Sequence, residues 1–400
     1  MESIDKVSVL KCGDYNLANV EAAVRKSIQN LGGLDRFFKP GEKILLKPNL
    51  LMKRNPEEVT TTHPSVIEAV AKILLEFGCA VVIGDSPGGP FNPNALRPVY
   101  EATGLTGVAA RTGAELNWNF GSITESTPGA KYMKKLTVAA MIRDADKIVS
   151  ISKLKTHGMM TFTGAVKNMF GIIPGTTKAE YHFNNSNYDN FANMLIDICL
   201  YAKPVLSIMD GIIAMEGAGP SAGKPRFVGA LLASPNPFLL DKAAMHIISM
   251  PMTDVPVARQ AVARGITTDG MSDLELVGDD ISRFVISDFK TAEHMMAVNL
   301  EDVFPRFMRG LAKKMLTSKP AVDPEKCAMC RICEKNCPVN AITSGKKLPP
   351  AFDYEKCIRC YCCQELCPYK VITIRKTVVL RLVEKWNRVG KLDLERFMKK

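Results

Sequence analysis

Nine of the twelve cysteines in this 400-residue chain fall between Cys327 and Cys367. Eight of them form two runs with the same spacing, C-x-x-C-x-x-C-x-x-x-C-P, and the second run repeats the first thirty residues later. The first run contains Cys327, Cys330, Cys333 and Cys337, and the second contains Cys357, Cys360, Cys363 and Cys367. Three thiolates on a short turn can hold three irons of a cubic cluster, and a distant fourth thiolate can hold the last one. The spacing therefore predicts iron–sulfur ligation and single-electron chemistry at low potential.

The two runs resemble those of bacterial ferredoxins with two [4Fe-4S] clusters, in which the fourth cysteine of each run ligates the other cluster. The resemblance implies two interleaved ligand sets. Site one would consist of Cys327, Cys330, Cys333 and Cys367, and site two of Cys357, Cys360, Cys363 and Cys337. Even the proline after the fourth cysteine recurs, as Pro338 and Pro368.

One cysteine of this region, Cys362, has no counterpart in the first run, where Ile332 stands at the matching position. We interpret it as a packing thiol or as a group that tunes the neighbouring cluster. Two alternatives to redox clusters stay open, namely a zinc site and intact clusters with a purely structural role. Zinc sites usually pair two C-x-x-C units across a longer gap, so the spacing favours [4Fe-4S] clusters.

The remaining composition is that of an ordinary globular protein, with 46% hydrophobic and 23% charged residues. No export signal opens the sequence, and clustered cysteines of this kind indicate metal ligation rather than disulfides, so we expect a reducing cytoplasm. The formal net charge of +11 would ordinarily suggest nucleic acid as a partner. However, eight thiolates around two clusters contribute about −4, and no nucleic-acid-binding motif is present. We therefore expect no nucleic-acid partner.

Upstream of the cysteines, short apolar runs alternate with helical periods, which is typical of an α/β fold with a mostly parallel sheet and flanking helices. The predicted strands are residues 6–11, 43–47, 80–85, 147–152, 205–210 and 230–234. The clearest helix has Pro64 in its first turn, Thr62 or His63 as its cap and Gly78 at its end. We expect this α/β domain over residues 1–291, followed by a small α+β two-cluster ferredoxin domain over residues 321–376.

Two basic amphipathic segments flank the cluster module. Residues 292–320 form a predicted connector, and residues 377–400 form a predicted C-terminal tail. Basic amphipathic helices can lie on membrane surfaces. Packing against the anionic cluster module or the α/β domain explains the same pattern, and we favour it over contact with a membrane surface.

Polar residues follow the predicted strands, at the edge where ligands bind in open α/β sheets. Lys153, Lys155 and His157 alternate along an extended segment, which would direct them to one side, and Lys167 and Asn168 follow. Such cations, an imidazole and an amide suit a carboxylated substrate and a proton donor. We assign His157, Lys155 and Lys167 as catalytic candidates and Lys153 and Asn168 as substrate-binding candidates. A surface strand with solvated lysines is the alternative.

A second group of candidate substrate contacts follows two other strands. It comprises Lys47, Asn49, Asp85, Ser86, Gly88 and Gly89. The glycines would let backbone N–H groups approach a carboxylate or a phosphate. A tight turn between a strand and a helix explains the same glycines equally well.

Five segments of the α/β region resemble the iron–sulfur proteins of domain of unknown function family 362. The segments are KPNLL (47–51), TTHPSVIEAV (61–70), GDSPGG (84–89), SKLKTHGMMTFTGAVKNMFGIIPG (152–175) and DGIIAMEGAGPSAG (210–223). The resemblance covers nearly the whole α/β domain, and it implies that a two-cluster ferredoxin module often follows such a domain. It implies no particular reaction or substrate.

The leading functional hypothesis is an iron–sulfur oxidoreductase. It would pass single electrons from a low-potential donor such as ferredoxin to a small, reducible, carboxylated substrate. Reduction of a C=C or C=N bond needs two electrons and two protons, and His157, Lys155 or Lys167 would supply the protons. No G-x-G-x-x-G fingerprint supports NAD(P)H as the direct reductant, and a flavin is compatible with the sequence but unsupported by it.

Two further hypotheses belong to other classes. An electron-transfer or maturation protein that acts on a partner would have a shallow, uncharged crevice. A metal or organometallic cofactor site would use His63, Asp85, His157 or His182, as suggested by a distant similarity to nickel-dependent racemases. His63 and His182 also suit helix caps or core positions. The cluster module resembles those of anaerobes, so we expect sensitivity to oxygen.

Overall fold

The α/β domain is built on one large sheet. The computed structural model describes residues 6–175, 177–185, 187–292, 318–345 and 347–377. The strands of the domain are β1 (Lys6–Lys11), β2 (Lys43–Pro48), β3 (Ala80–Ile83), β4 (Glu115–Leu116), β5 (Ser122–Ser126), β6 (Lys135–Ala139), β7 (Lys147–His157), β8 (Thr161–Thr163), β9 (Leu206–Glu216), β10 (Lys224–Ser234) and β11 (Glu275–Gly278). β5 and β6 pair with each other, and the others form a nine-stranded sheet in the order β11-β1-β10-β9-β7-β2-β3-β4, with β8 beside β7.

The sheet is mostly parallel, which confirms the predicted fold class. β4, β3, β2, β7 and β9 run parallel in that spatial order. β10 is antiparallel to both of its neighbours, β9 and β1. It returns from β9 by a hairpin in which Glu216 pairs with Lys224, and a strand that returns by a short hairpin must run antiparallel.

Helices cover both faces of the sheet. They are α1 (Leu17–Asn30), α2 (Pro64–Glu76), α3 (Pro93–Ala102), α4 (Leu105–Thr112), α5 (Ala165–Asn168), α6 (Thr177–Asn184), α7 (Tyr188–Ala202), α8 (Pro237–Ile247) and α9 (Pro256–Ala263). Ile44 and Leu46 of β2 belong to the core shared with α1 and α2. Leu45, between them, belongs to the opposite core with α7 and α8. Because successive side chains of a strand point to opposite faces, a strand buried on both faces reads as a continuous apolar run.

The helix predicted from residue 64 has the expected ends. Nδ1 of His63 accepts a hydrogen bond from the backbone N–H of Ser65 over 3.2 Å, so His63 rather than Thr62 caps α2. Pro64 occupies the first turn, where no N–H donor is needed. Gly78, which follows the helix, has a φ of +93°, a conformation that glycine adopts readily.

The cluster module is small and pseudo-symmetric. It contains β12 (Lys319–Val322), α10 (Ile332–Lys335), β13 (Ile342–Thr343), β14 (Ala351–Phe352), α11 (Cys362–Glu365) and β15 (Ile372–Arg375). β12 pairs with β15 and β13 with β14, both antiparallel. β12 begins two residues before the predicted module boundary. Nearly all of the predicted connector and tail, residues 293–317 and 378–400, lies outside the described residues.

The module is tied to the α/β domain by Arg54. The buried guanidinium donates hydrogen bonds to the carbonyl oxygens of Pro368 and Cys367, over 2.9 and 3.1 Å. Glu58 accepts from Arg54 over 3.0 Å and forms an ion pair of 2.9 Å with Lys370. These contacts hold the end of the second cysteine run against the loop that follows β2.

No helix among the described residues is long and apolar enough to cross a membrane.

Replacing Arg54 with alanine should loosen this attachment. The two carbonyl oxygens and Glu58 would lose their charged donor, and buried groups left without partners typically cost about 1–3 kcal/mol. We expect the free energy of unfolding of the cluster-loaded protein to fall by that amount. It is measured by unfolding in urea, which is monitored through the absorbance of the clusters. Arg25→Ala is the control, because Arg25 is exposed and a surface change should stay within about 0.5 kcal/mol. Equal shifts in the two variants would show that Arg54 does not hold the module in place.

Candidate functional site

A cavity of about 750 Å³ lies between the α/β domain and the cluster module. From the α/β domain, its walls include Lys47, Lys167, Lys178 and His182. From the module, they include Asn336, Cys362, Glu365 and Leu366. The parallel strands β2, β3 and β7 end at this edge of the sheet, where ligands bind in open α/β folds.

The predicted site residues divide into those that line the cavity and those that do not. The cavity is lined by Lys47, Asn49, Asp85, Ser86, Gly88, Gly89, Lys167 and Asn168. Lys153, Lys155 and His157 are not among the lining residues. All three are buried, and each is held by acceptors inside the protein.

Lys47 forms part of the cavity floor together with Asp85 and Asn168. Its ammonium lies 2.7 Å from Asp85 Oδ1 and donates to Asn168 Oδ1 over 2.9 Å and to the carbonyl oxygen of Pro48 over 2.8 Å. Burial lowers the pKa of Lys47, and the adjacent Asp85 raises it in part. Because an ammonium has only three protons to donate, Lys47 has none left for a ligand.

Lys153 and Lys155 have separate partners. Lys153 donates to Asp210 Oδ2 and to the hydroxyl of Tyr15, both over 2.8 Å. Lys155 donates to Asn49 Oδ1 and to the carbonyl oxygen of Thr60, both over 2.7 Å. The alternation along β7 therefore places these cations in a buried network, because each one requires acceptors once it is removed from water.

His157 contacts the cluster module directly. Its Nδ1 accepts hydrogen bonds from the backbone N–H groups of Met159 and Met160, over 3.0 and 3.1 Å. Its Nε2 lies 3.0 Å from Glu365 Oε1, so the ring and that carboxylate are in direct polar contact. Burial lowers the pKa of His157 to about 4, in agreement with a neutral imidazole. Burial raises the pKa of Glu365, but His157, Lys167 and His182 together make the net shift downward.

Some polar groups at the cavity are free to meet a ligand. The ammonium of Lys167 has no hydrogen bond or ion pair among the described residues. It faces the ring of Phe170, and the charge of Glu365 raises its pKa in part. The hydroxyl of Ser86 and Nδ1 of His182 are buried without a hydrogen-bond partner. Buried polar atoms are rarely left unpaired in folded proteins, so these groups point to a bound molecule or to ordered water.

Lys178 was not predicted as a site residue, and it has an unusual environment. It lies in the first turn of α6, where its ammonium donates to the carbonyl oxygens of Ser86 and Pro87. Burial lowers the pKa of Lys178 to about 7. No spacing pattern in the sequence singles out this lysine. His182, predicted near the start of this helix, lies in its second half, stacked on Phe191 with ring centroids 4.4 Å apart.

The predicted anion-binding loop uses two of its backbone N–H groups internally. The amide of Ser86 donates to the carbonyl oxygen of Gly171 over 2.9 Å, and that of Gly88 donates to Leu51 over 3.1 Å. A Cβ at Gly88 would lie only 2.7 Å from Leu366 of the cluster module. The glycine therefore permits close contact between the two domains.

The four candidate metal ligands of the α/β domain are placed in different networks. His63 caps α2 and stacks on Tyr15, with ring centroids 3.6 Å apart. Asp85 pairs with Lys47, His157 contacts Glu365, and His182 packs among aromatic rings. Within the described part of the chain, no three His, Cys, Asp or Glu side chains are arranged to hold a single metal ion.

The cysteines of the two runs lie close together. A cavity of about 370 Å³ is lined by all four cysteines predicted for site one, Cys327, Cys330, Cys333 and Cys367. Burial raises the pKa of Cys363, and the charges of Cys360, Cys357 and Cys337 of its predicted set and of Cys333 of site one add to that effect. The cysteines of the two runs are thus neighbours in space, as interleaved ligand sets require.

The backbone supports the same arrangement. Left-handed residues recur at matching positions of the two runs, as Met329 and Arg359, Arg331 and Tyr361, and Asn340 and Lys370. Such residues turn the chain sharply, so that nearby thiols can converge on one centre. Cys362 belongs to neither set and instead lines the large cavity. The residues of both sites therefore fit [4Fe-4S] clusters.

Comparison with known protein families agrees with this architecture. The family model described as Domain of unknown function (DUF362) matches residues 44–246. This chain belongs to the DUF362 family. The model of the 4Fe-4S binding domain matches residues 320–343 and 350–373, so this DUF362 protein carries two iron–sulfur motifs after its α/β domain.

One curated relative of this DUF362 chain is a thylakoid-associated protein from Synechocystis sp. The two are 32% identical over 316 residues, which cover 78% of this chain and 94% of the relative. Among solved structures, the lactate racemase apoprotein from Thermoanaerobacterium thermosaccharolyticum has a TM-score of 0.39 and 13% identity, covering 62% of this chain and 57% of its own. A protein from Thermotoga maritima has a TM-score of 0.36 and 14% identity, covering 59% of each chain. The likeness to these two structures spans less than two thirds of either one.

Lys178 should titrate near neutral pH in the folded DUF362 protein. Only the neutral amine reacts with an acetylating reagent, so trace labelling of Lys178 should reach half of its maximum near pH 7. In the unfolded chain, the same lysine should require a pH of about 10.4. Mass spectrometry of the peptide measures this, and Lys178→Arg confirms the assignment by abolishing the label. A midpoint above about pH 9 in the folded protein would show that burial does not lower this pKa.

Proposed function

We propose that this protein is an iron–sulfur oxidoreductase that delivers single electrons to a small carboxylated substrate in the cavity between its two domains. The observation that carries the proposal is the composition of the cavity walls. The walls present the ammonium of Lys167, which has no hydrogen bond among the described residues, and α11, the helical turn that contains Cys363 of site two. A molecule bound in the cavity would therefore meet both a cation and a turn that carries a cluster ligand.

Two [4Fe-4S] clusters, one at each cysteine site, would supply single electrons at low potential. Cys362 and Glu365 line the cavity from the same turn as Cys363. The chain therefore offers a short separation between site two and a substrate. We infer that a low-potential carrier such as ferredoxin is the electron donor and that the protein works in the cytoplasm of an anaerobic organism.

The cavity suits a carboxylate better than a neutral or cationic ligand. Lys167 and Lys178 offer ammonium groups, and the buried hydroxyl of Ser86 offers a further donor. Charge-assisted hydrogen bonds of this kind are about twice as strong as neutral ones, and they strengthen further where water is excluded. We therefore assign Lys167, Lys178 and Ser86 to the substrate carboxylate.

Protons would come from the same side of the cavity. Lys178 is the best-placed acid, because it lines the cavity and its pKa of about 7 matches neutral conditions. Lys167, which the sequence predicted as catalytic, would lie beside the substrate. His157 acts one step away, since its Nε2 contacts and orients Glu365, and Lys155 positions Asn49. Both of these act as positioning residues in the proposal.

The alternative of a protein that only transfers electrons to a partner would suit a shallow, uncharged crevice. The observed cavity carries cations, which supports the oxidoreductase. The metal or organometallic alternative would require a ligand set drawn from His63, Asp85, His157 or His182 to converge. Each of them has a different neighbour in the described structure, as set out above.

The cysteine assignment predicts different outcomes for two adjacent residues. Cys362→Ala should leave about eight irons per chain after anaerobic reconstitution, because this thiol belongs to neither site. Cys363→Ser should lose about half of the iron and the EPR interaction between two reduced clusters. Iron analysis and EPR spectroscopy measure both outcomes. Loss of iron from the Cys362→Ala variant would make Cys362 a ligand and would refute the assignment.

Removing the ammonium of Lys167 should weaken substrate binding without affecting the cysteine sites. For Lys167→Met we expect affinity for the substrate to fall about 10-fold to 100-fold, because hydrogen bonds to charged groups contribute about 1.5–3 kcal/mol. The assay follows oxidation of reduced methyl viologen with a panel of unsaturated and imino carboxylates. Lys26→Met, a change at an exposed lysine, should behave as the wild type. If no carboxylate of the panel accepts electrons from the wild-type protein, the proposed substrate class is wrong.

A further inference from the structure

The two cysteine runs differ in what covers them. Residues 328–331 of the first run are exposed, including Cys330. The matching residues 358–361 are partly or fully buried. The same contrast holds in the helical turns, because Glu334 and Lys335 reach solvent whereas their counterparts Gln364 and Glu365 are buried. The module therefore presents site one outward and site two inward.

The contacts of α11 explain this asymmetry. Glu365 lies 3.0 Å from His157, and Leu366 packs close to Gly88. The hydroxyl of Tyr361 donates to the carbonyl oxygen of Ser318 over 3.2 Å. The α/β domain and the start of the module thus close the surroundings of site two. Among the described residues, the side of site one is therefore the more accessible one for a large electron carrier.

The outward side carries an apolar patch. Met329, Tyr369 and Leu348 are 42%, 54% and 61% exposed. Met329 and Tyr369 also line the cavity formed by the site-one cysteines. Leu348 packs over Gly345, next to Ser344 of the same lining. Exposed apolar side chains gathered around one functional centre are typical of a protein interaction site.

The same side also carries exposed basic side chains. Residues 318–377 contain eleven Lys and Arg against six Asp and Glu, to which eight thiolates around two clusters would add about −4. Among the acids, Glu365 is buried against His157, while Asp323, Glu334 and Asp353 pair with neighbouring basic side chains. Lys335 and Lys347 are exposed and have no ion pair within the described residues. We call Met329, Lys335, Lys347, Leu348 and Tyr369 the site-one face.

We propose that the site-one face docks an acidic one-electron carrier protein. Apolar side chains ringed by unpaired lysines match a carrier whose own redox centre lies beneath an acidic surface. Each encounter oxidises the carrier by one electron, so two encounters supply the two electrons that the cavity substrate requires. The proposal rests on the proposed redox function, but it does not depend on the identity of the substrate.

The test measures reduction of the clusters without any substrate. The reconstituted full-length protein is mixed in a stopped-flow instrument with a reduced, acidic two-cluster ferredoxin, and separately with reduced methyl viologen, a small cation that needs no docking surface. The Lys335→Glu/Lys347→Glu variant should react with the ferredoxin at least about tenfold more slowly at low salt, because electrostatic steering raises association rates by that order or more. The difference should shrink as salt is added. Reduction by viologen should not slow down in this variant.

A second variant examines the apolar part of the face. Leu348→Ser/Tyr369→Ser should slow reduction by ferredoxin at every salt concentration. The matched controls are Lys26→Glu/Lys224→Glu for charge and Phe227→Ser for exposed apolar area, since Phe227 is 59% exposed on β10 of the α/β domain. Iron content is measured for each variant, and only variants with the wild-type value are compared.

Several outcomes would overturn the proposal. Equal ferredoxin rates in the face variants and the controls would do so, as would a wild-type rate no faster with ferredoxin than with viologen. Sedimentation of the same proteins tests other occupants of the face. If the face variants abolish self-association or binding to phosphatidylserine vesicles while ferredoxin rates are unchanged, the face serves a second copy or a membrane instead. A failed substrate screen with normal docking kinetics would reject the proposed substrate class alone.

Discussion

The carboxylate of Glu365 reaches out of the cluster module and lies 3.0 Å from Nε2 of His157. Both side chains are buried, so this contact fixes the orientation of α11 against the carboxyl ends of the parallel strands. The two backbone N–H groups that donate to Nδ1 of His157 determine the tautomer, so that Nε2 carries the proton and faces the carboxylate. The position of Cys362 in the cavity wall and the burial of site two both follow from this orientation.

The buried cations around this contact illustrate how the fold treats charge. Lys47 and Lys153 each have a carboxylate partner, whereas Lys155 has only neutral acceptors. Lys167 has no hydrogen-bonding partner among the described residues. Burial lowers the pKa of all four lysines. Lys167 is only partly buried and lines the cavity, so a ligand or water can complete its environment.

The sequence was sufficient for the large features, since period, spacing and turn residues are local properties. It predicted the parallel strands, the ends of α2 and the two cysteine runs. It could not show which cations at the strand ends lack a hydrogen-bond acceptor. Periodicity predicts the side of the strand on which a residue lies, but it does not reveal the acceptors that other segments place there. Lys153 and Lys167 look alike in sequence, yet Lys153 donates a hydrogen bond to Asp210 whereas Lys167 lines the cavity.

One informative signal lay in the differences between the two cysteine runs. Arg331 and Lys335 of the first run correspond to Tyr361 and Glu365 of the second. A basic residue replaced by an aromatic ring, and a lysine replaced by a carboxylate, indicate that the second turn is covered by protein. Lys178 offered no such comparison, because its environment depends on carbonyl groups more than ninety positions away in the chain.

The shared cavity also has a consequence for the order in which the protein matures. The α/β domain emerges first from the ribosome, but one wall of the cavity comes from α11, which lies close to the C-terminus. Ligand-driven folding of small metal-binding modules means that this wall forms fully only when iron and sulfide have been inserted. A newly made chain without clusters would therefore lack a complete substrate pocket. The chain would therefore gain the ability to bind a ligand in the cavity late in its biogenesis, and this step would depend on the supply of iron in the cell.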